Sequence, residues 1–343
     1  MKRYLLPESG TFYKANLHCH TNLSDGHLTP EEIKRIYKKQ GYSVVAYTDH
    51  DLFIPHPELA DPDFLPLHAM EMEINEETPL GWDHARSCHL CFIALKEDTV
   101  LQPCWHRSKY RFGNAPGNAH LARFDESLPD YERAYTPERI NDMIRACREQ
   151  GFFVTYNHPT WSLEGYEQYI HLEGMQAMEI CNYSCMVMGY EEYNPRVYDD
   201  LLRAGKRLYC VATDDNHNHG TPGARTWDSF GGFTMIKAPS LQYEAVTAAL
   251  ENGDFYASQG PQIHSLYLEG DTVHIECSPA DRINLHVATR RDRLLAAEPG
   301  APVTHAAFQV HPDDGYFRIT VTDAQGRHAD TRAYFLDELL LSH

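Results

Sequence analysis

At 343 residues with a formal net charge of −19, the chain is long enough for a barrel plus an appendage and too acidic to bind a nucleic-acid backbone in general. No apolar run approaches the roughly 18 residues of a membrane span, and the opening MKRYLLPESG has only a two-residue apolar patch before Pro7, so a cytoplasmic protein without membrane association is expected. Nine scattered cysteines, an odd count, suit reduced thiols better than a disulfide framework.

Residues 16–51 hold two clusters of metal-ligand side chains joined by one helix. His18 and His20 are two apart, which on a β-strand turns both imidazoles to the same face, while Cys19 points the other way. Asp25 follows in Ser24-Asp25-Gly26, where glycine permits a sharp turn back towards the strand end. Thr29-Pro30-Glu31-Glu32 starts a helix that runs to Gln40 and stops at Gly41. Residues 42–48 read as a buried strand delivering Asp49-His50-Asp51 at its carboxyl end, with Asp49 placed to orient an imidazole. HxH, SDG, a helix and TDH at β-α-β spacing resemble the opening of the PHP (polymerase and histidinol phosphatase) superfamily.

Residues 52–64 read as a loop and 65–74 as a third strand, on which Glu71 and Glu73 share a face. The family pattern Gly-x-Glu, met here with Ala69 in the glycine position, favours Glu71 over Glu73. A fourth strand, 87–95, carries His89. Regular patterning disappears over 98–135, and from Cys104 to Phe124 that stretch holds Arg107, Lys109, Arg111 and Arg123 but no acid, so it is expected to arch over the site and bind an anionic group. A helix over 136–150 is followed by a strand ending at His158-Pro159. A sixth strand spans 174–182, a short helix 194–204, and a seventh strand 207–213 ends in Asp214-Asp215-Asn216-His217-Asn218-His219. Asp215 and His217 fit the family's Asp-x-His; Asp214 and His219 would replace them if a bulge shifted the register. A helix over 240–252 closes the barrel.

Beyond Gly260-Pro261 the segments 266–268, 272–277, 283–289, 306–310, 316–322 and 331–336 are β-rich and separated by turn signals. The expected fold is therefore α/β: a distorted seven-stranded (β/α) barrel over 1–260, with the loop insertion at about 98–135, and a small antiparallel sandwich over 261–343.

The resemblance implies three divalent metals. His18, His20, Glu71 and Asp215 would hold the first, Glu71 with His89 and His158 the second, and Asp25, His50 and His217 the third. Imidazole and carboxylate donors without thiolate suit Zn, Mn or Fe. The expected reaction is hydrolysis of a small phosphate monoester, such as a nucleotide or sugar phosphate, by metal-activated water, with His219 as general acid and Arg225 as a phosphate contact. A non-phosphate ester, carbamate or amide is the alternative substrate. A small phosphorylated anion is compatible with the acidic chain because bound divalent ions reverse the local field.

Overall fold

The computed structural model describes residues 2–340; positions 1 and 341–343, at the outer ends of the two expected domains, lie outside the described residues. Ten strands precede the C-terminal region: β1 (Lys2–Tyr4), β2 (Thr11–Asn16), β3 (Val44–Tyr47), β4 (Leu65–Asn75), β5 (Ser87–Ala94), β6 (Phe152–Tyr156), β7 (Ala177–Asn182), β8 (Tyr209–Thr213), β9 (Phe233–Ala238) and β10 (Phe255–Ser258). Strands β2 to β8 neighbour one another in chain order and are the seven expected barrel strands. They are not all parallel, because β5 is antiparallel to both β4 and β6. Residues 76–86, which join β4 to β5, are too few for a crossover helix, so the chain returns as a hairpin.

Alternation along each strand sorts side chains between two cores. Leu65, Leu67 and Ala69 of β4 face the barrel interior with Ile93, Phe153, Ala177 and Val211. Met70, Met72 and Ile74 face outwards onto the helices Pro137–Glu149 and Pro195–Arg203. The helix Tyr243–Asn252 plugs the lower end, where Tyr243 Oη donates to the Ala94 carbonyl at 3.0 Å and accepts from the His68 amide at 3.0 Å. The first helix, Pro30–Lys39, is fixed by the capping box that its sequence encodes, with Thr29 and Glu32 exchanging side-chain bonds to each other's amides.

Closure is achieved where β2 and β8 run on past their ladders. The Asp215 amide donates to the His18 carbonyl at 2.9 Å and the His20 amide to the Asn216 carbonyl at 3.0 Å. Below that point β9, which sequence reading missed, pairs antiparallel with β2, and Thr234 Oγ1 bridges to the amide and carbonyl of Ala212 on β8.

The C-terminal region is an antiparallel sandwich. One sheet is β11 (Ile263–Glu269), β12 (Thr272–Ala280) and β15 (Val303–Gln309); β1 joins its edge instead of remaining with the barrel as sequence reading had it. The other is β13 (Arg282–Val287), β14 (Arg293–Ala296), β16 (Tyr316–Thr322), β17 (His328–Thr331) and β18 (Tyr334–Phe335), continuous with the barrel sheet through β10 and β17. The expected strand over 331–336 is broken in two and turns helical at Leu336. Arg318, 2% exposed, places Nε and Nη2 each 2.9 Å from the Asp199 carboxylate on the helix Pro195–Arg203, fastening sandwich to barrel. Among the described residues no helix is long and apolar enough to cross a membrane.

Candidate metal centre

The inward face of each strand changes character as it rises: Leu67 and Ala69 give way to Glu71, Phe153 to Thr155 and Asn157, Ala177 to Glu179, and Val211 to Thr213 and Asp215. Because β5 runs the other way, His89 near its start reaches the same level as the carboxyl ends of its neighbours. The polar ends converge on Glu71, which is 1% exposed.

One Glu71 oxygen, Oε2, lies 3.2 Å from His18 Nε2, 3.3 Å from His20 Nε2 and 3.3 Å from His50 Nδ1. The other, Oε1, lies 3.1 Å from His89 Nδ1 and 3.3 Å from His158 Nε2. Asp215 Oδ1 is 3.1 Å from His18 Nε2 and 3.0 Å from His20 Nε2. Asp25 Oδ2 is 3.4 Å from His217 Nε2 and 3.8 Å from His50 Nε2. All nine residues expected as ligands are thus brought together. Their donor atoms fall into overlapping groups: His20, Asp25, His50 and His217; His18, His158 and Asp215; and His50, Glu71 and His89.

Sequence left two positions open, and the geometry separates them. Glu71 is central while Glu73, one step up the same face, meets the cluster at the outer nitrogen of His89, 3.2 Å away, and otherwise accepts from Asn75 Nδ2 at 2.7 Å. Asp215 faces the cluster with its backbone in the left-handed region, φ 52°. Asp214 turns away to accept the amides of Phe230, Gly231 and Gly232 and the Tyr37 hydroxyl, an anchor for the loop that follows β8. Burial pushes Asp214 up to about 6 despite those donors.

The cluster is chemically unsatisfied as it stands. His20 Nδ1, His50 Nδ1, His89 Nε2 and Asp215 Oδ1 are buried and make no well-directed hydrogen bond, although each has a charged or imidazole neighbour 3.0–3.6 Å away, a state that costs free energy unless something else fills the need. His18 Nε2 and His20 Nε2 sit 3.0 Å apart, as two nitrogens aimed at one cation do. Burial alone would lower the His20 imidazole, but Asp215 and Glu71 outweigh it and raise it to about 10; Glu71 and Glu73 do the same for His89. Nitrogen-rich donors and ionised acids fit divalent ions of the borderline class, and among the described residues Cys91, close to His18 and Glu71, is the thiol within reach.

Glu179, unremarked in the sequence, orients the first imidazole. Its Oε1 lies 2.7 Å from His18 Nδ1 and accepts from Thr213 Oγ1 at 2.6 Å, while Oε2 accepts the His158 amide at 3.0 Å and Asn182 Nδ2 at 2.9 Å. The available signal was an acid inside an otherwise fully buried strand, AMEICN. Asp49 does not orient His50. It accepts from the Thr21 amide and hydroxyl and from Ser24 Oγ, holding the turn that presents Asp25.

The basic residues of 98–135 are placed differently from expectation. Arg107 pairs with Asp130 and Lys109 with Glu132, acids lying just beyond the stretch whose lack of acids had suggested free cations. Arg111 donates to the carbonyls of His106 and Arg107 and stacks on Trp105, and Arg123 is exposed. The segment does reach the site, but through Phe112, whose ring lies 4.6 Å from that of His50, and through Asn114, whose amide donates to the Ser24 carbonyl at 2.6 Å. Arg225 is exposed, and His219, also exposed, stacks 5.8 Å from His217 without joining the cluster.

No protein-family model matches the sequence, and no curated protein matches it. Among solved structures the chain is similar to a two-domain protein from Bacteroides vulgatus described as containing a predicted PHP-like metal-dependent phosphoesterase, at 17% identity over 93% of this chain and 94% of that one, with a TM-score of 0.46. It is also similar to an amidohydrolase from Chromobacterium violaceum bearing sulfate and no metal, at 15% identity over 61% of this chain and 88% of that one, with a TM-score of 0.39.

Proposed function

We propose that the protein is a metal-dependent hydrolase acting on a small phosphate monoester. The observation that carries this reading is the convergence of six imidazoles and three carboxylates on and around Glu71, with four of their buried atoms making no well-directed hydrogen bond. His18, His20, Glu71 and Asp215 would hold one ion, Glu71, His89 and His158 a second, and Asp25, His50 and His217 a third. Ions held there would supply Lewis acidity and activate water near neutral pH.

The chain's own residues set the rest. Glu179 fixes the His18 ring, and Thr21, Ser24 and Asp49 fix the turn that carries Asp25. Three divalent ions against three ligand carboxylates leave a surplus of about three positive charges, which attracts a dianionic phosphoryl group without any help from arginine or lysine.

A second reading, hydrolysis of a carbon ester, carbamate or amide, gains from one observation. Three of the four cations that favoured phosphate in the sequence, Arg107, Lys109 and Arg111, are engaged within their own loop. Metal analysis of chelator-free protein, with assays on phosphomonoesters and carboxylic esters, separates the two. Bound metal with phosphate release supports the first, and bound metal with only carbon-ester or amide turnover supports the second.

A further inference from the structure

Trp161 is unused by the chemistry above, yet it is built against it. Its ring stands edge to face with two imidazoles of the cluster, 5.2 Å from His89 and 5.1 Å from His158. On its outer side, in the connection between β4 and β5, lies Trp82, 5.9 Å away and 57% exposed. The backbone beneath Trp161 is held by a costly device. The amides of Thr160 and Trp161 donate to the Glu192 carboxylate at 3.1 and 2.8 Å, and Glu192 is 0% exposed. A carboxylate withdrawn from water to pin a loop tip fixes the indole in place.

The two sides of the mouth differ. Beside His217 the chain sets His27 and His219, rings 4.2 Å apart, which can exchange protons and hydrogen bonds. Beside His89 and His158 it sets two indoles, flat and uncharged, whose faces favour other flat rings.

We propose that Trp161 and Trp82 form a subsite for a planar aromatic group on the substrate's leaving side. The substrate would be a phosphate monoester of an aryl- or heteroaryl-bearing alcohol. The proposal rests on the phosphomonoesterase reading. Hydrolysis breaks the ester P–O bond; the water oxygen goes to phosphorus, and one of its protons goes to the departing alcohol, which leaves along the indoles.

The test uses benzyl phosphate and ethyl phosphate, whose leaving alkoxides are of similar basicity, on metal-loaded wild type, Trp161→Ala, Trp161→Phe and Trp82→Ala. Binding of benzylphosphonate and ethylphosphonate is measured by calorimetry alongside. Wild type is expected to prefer the benzyl compound of each pair. Trp161→Ala should cut that preference about tenfold through KM, and Trp161→Phe should keep most of it. Equal handling of benzyl and ethyl compounds by wild type overturns the subsite, as does an equal loss on both in Trp161→Ala, which would mark the indole as packing only. Phosphonate binding with no phosphate turnover would sink the phosphomonoesterase reading while the benzyl-to-ethyl binding ratio still decides the subsite; no binding of either phosphonate overturns both.

Discussion

Glu179 Oε1 lies 2.7 Å from Nδ1 of His18, and the carboxylate touches no other imidazole of the cluster. Its work is to select the His18 tautomer and aim Nε2 at the shared position between Glu71 and Asp215. Glu179→Gln is expected to weaken metal binding by about 10- to 100-fold while the fold survives. Competition with a chelator of known affinity measures the first, and circular dichroism checks the second. Unchanged affinity would mean that Thr213 and Asn182 hold the strand ends without it.

Glu164 is buried and accepts from Tyr135 at 2.5 Å and Tyr156 at 2.6 Å; burial outweighs both donors and pushes its carboxyl up to about 7. The unfolded carboxyl titrates at its ordinary value near 4.5. The folded protein therefore holds the proton more tightly, and the stability this gives is present below pH 4.5 and lost as pH rises through about 7. Glu164→Gln removes the titration, so its stability relative to wild type should rise by up to about 3 kcal/mol between pH 4.5 and 8. Urea melts at the two pH values measure this, and a flat difference would contradict it.

Arg133 is a buried partner for Asp51, and its Nη1 also donates to the Glu73 carbonyl at 2.8 Å. Removing it strands a carboxylate next to His50. Arg133→Ala is expected to cost about 3–5 kcal/mol, while a double change with Asp51→Asn recovers part of that. Thermal melts of the two variants and their combination provide the cycle.

Arg107 and Lys109 spend their charge on Asp130 and Glu132 at the surface. Arg107→Ala and Lys109→Ala should each leave the thermal melt almost unmoved, as exposed, solvent-screened pairs do, and leave KM for a phosphomonoester within about twofold. A tenfold rise in KM for either would return the loop to the anion-binding role that its sequence suggested.

What could be read from sequence follows from where each signal resides. Strands such as 65–74 and helices such as 136–150 announce themselves by alternation and caps, and His18, His20, His50 and His158 lie at their ends. The reversal of β5 cannot be read from SCHLCFIAL, since a strand's pattern is the same in either direction; only the short connection before it hints at a hairpin. β9 and β10, FTMIKA and FYAS, are too short for alternation to mark them as strands. The acid-free stretch 104–124 does not show its own pairing, because Arg107 and Lys109 reach more than twenty residues ahead for their partners.

The stitch between the first and last barrel strands has a consequence for biogenesis. Asn16 Nδ2 donates to Asn216 Oδ1 at 2.9 Å across 200 residues of chain, directly beneath His18 and Asp215. Such a contact forms late, because its loop must close before any reward is gained. A growing polypeptide therefore offers passing ions only scattered imidazoles until its eighth strand has emerged, and a tight multidentate trap comes into being only when the ring is joined. Metal loading would then be a report of completed folding, and a chain stalled before Asp214 would neither hold cargo in the wrong geometry nor be rescued by it.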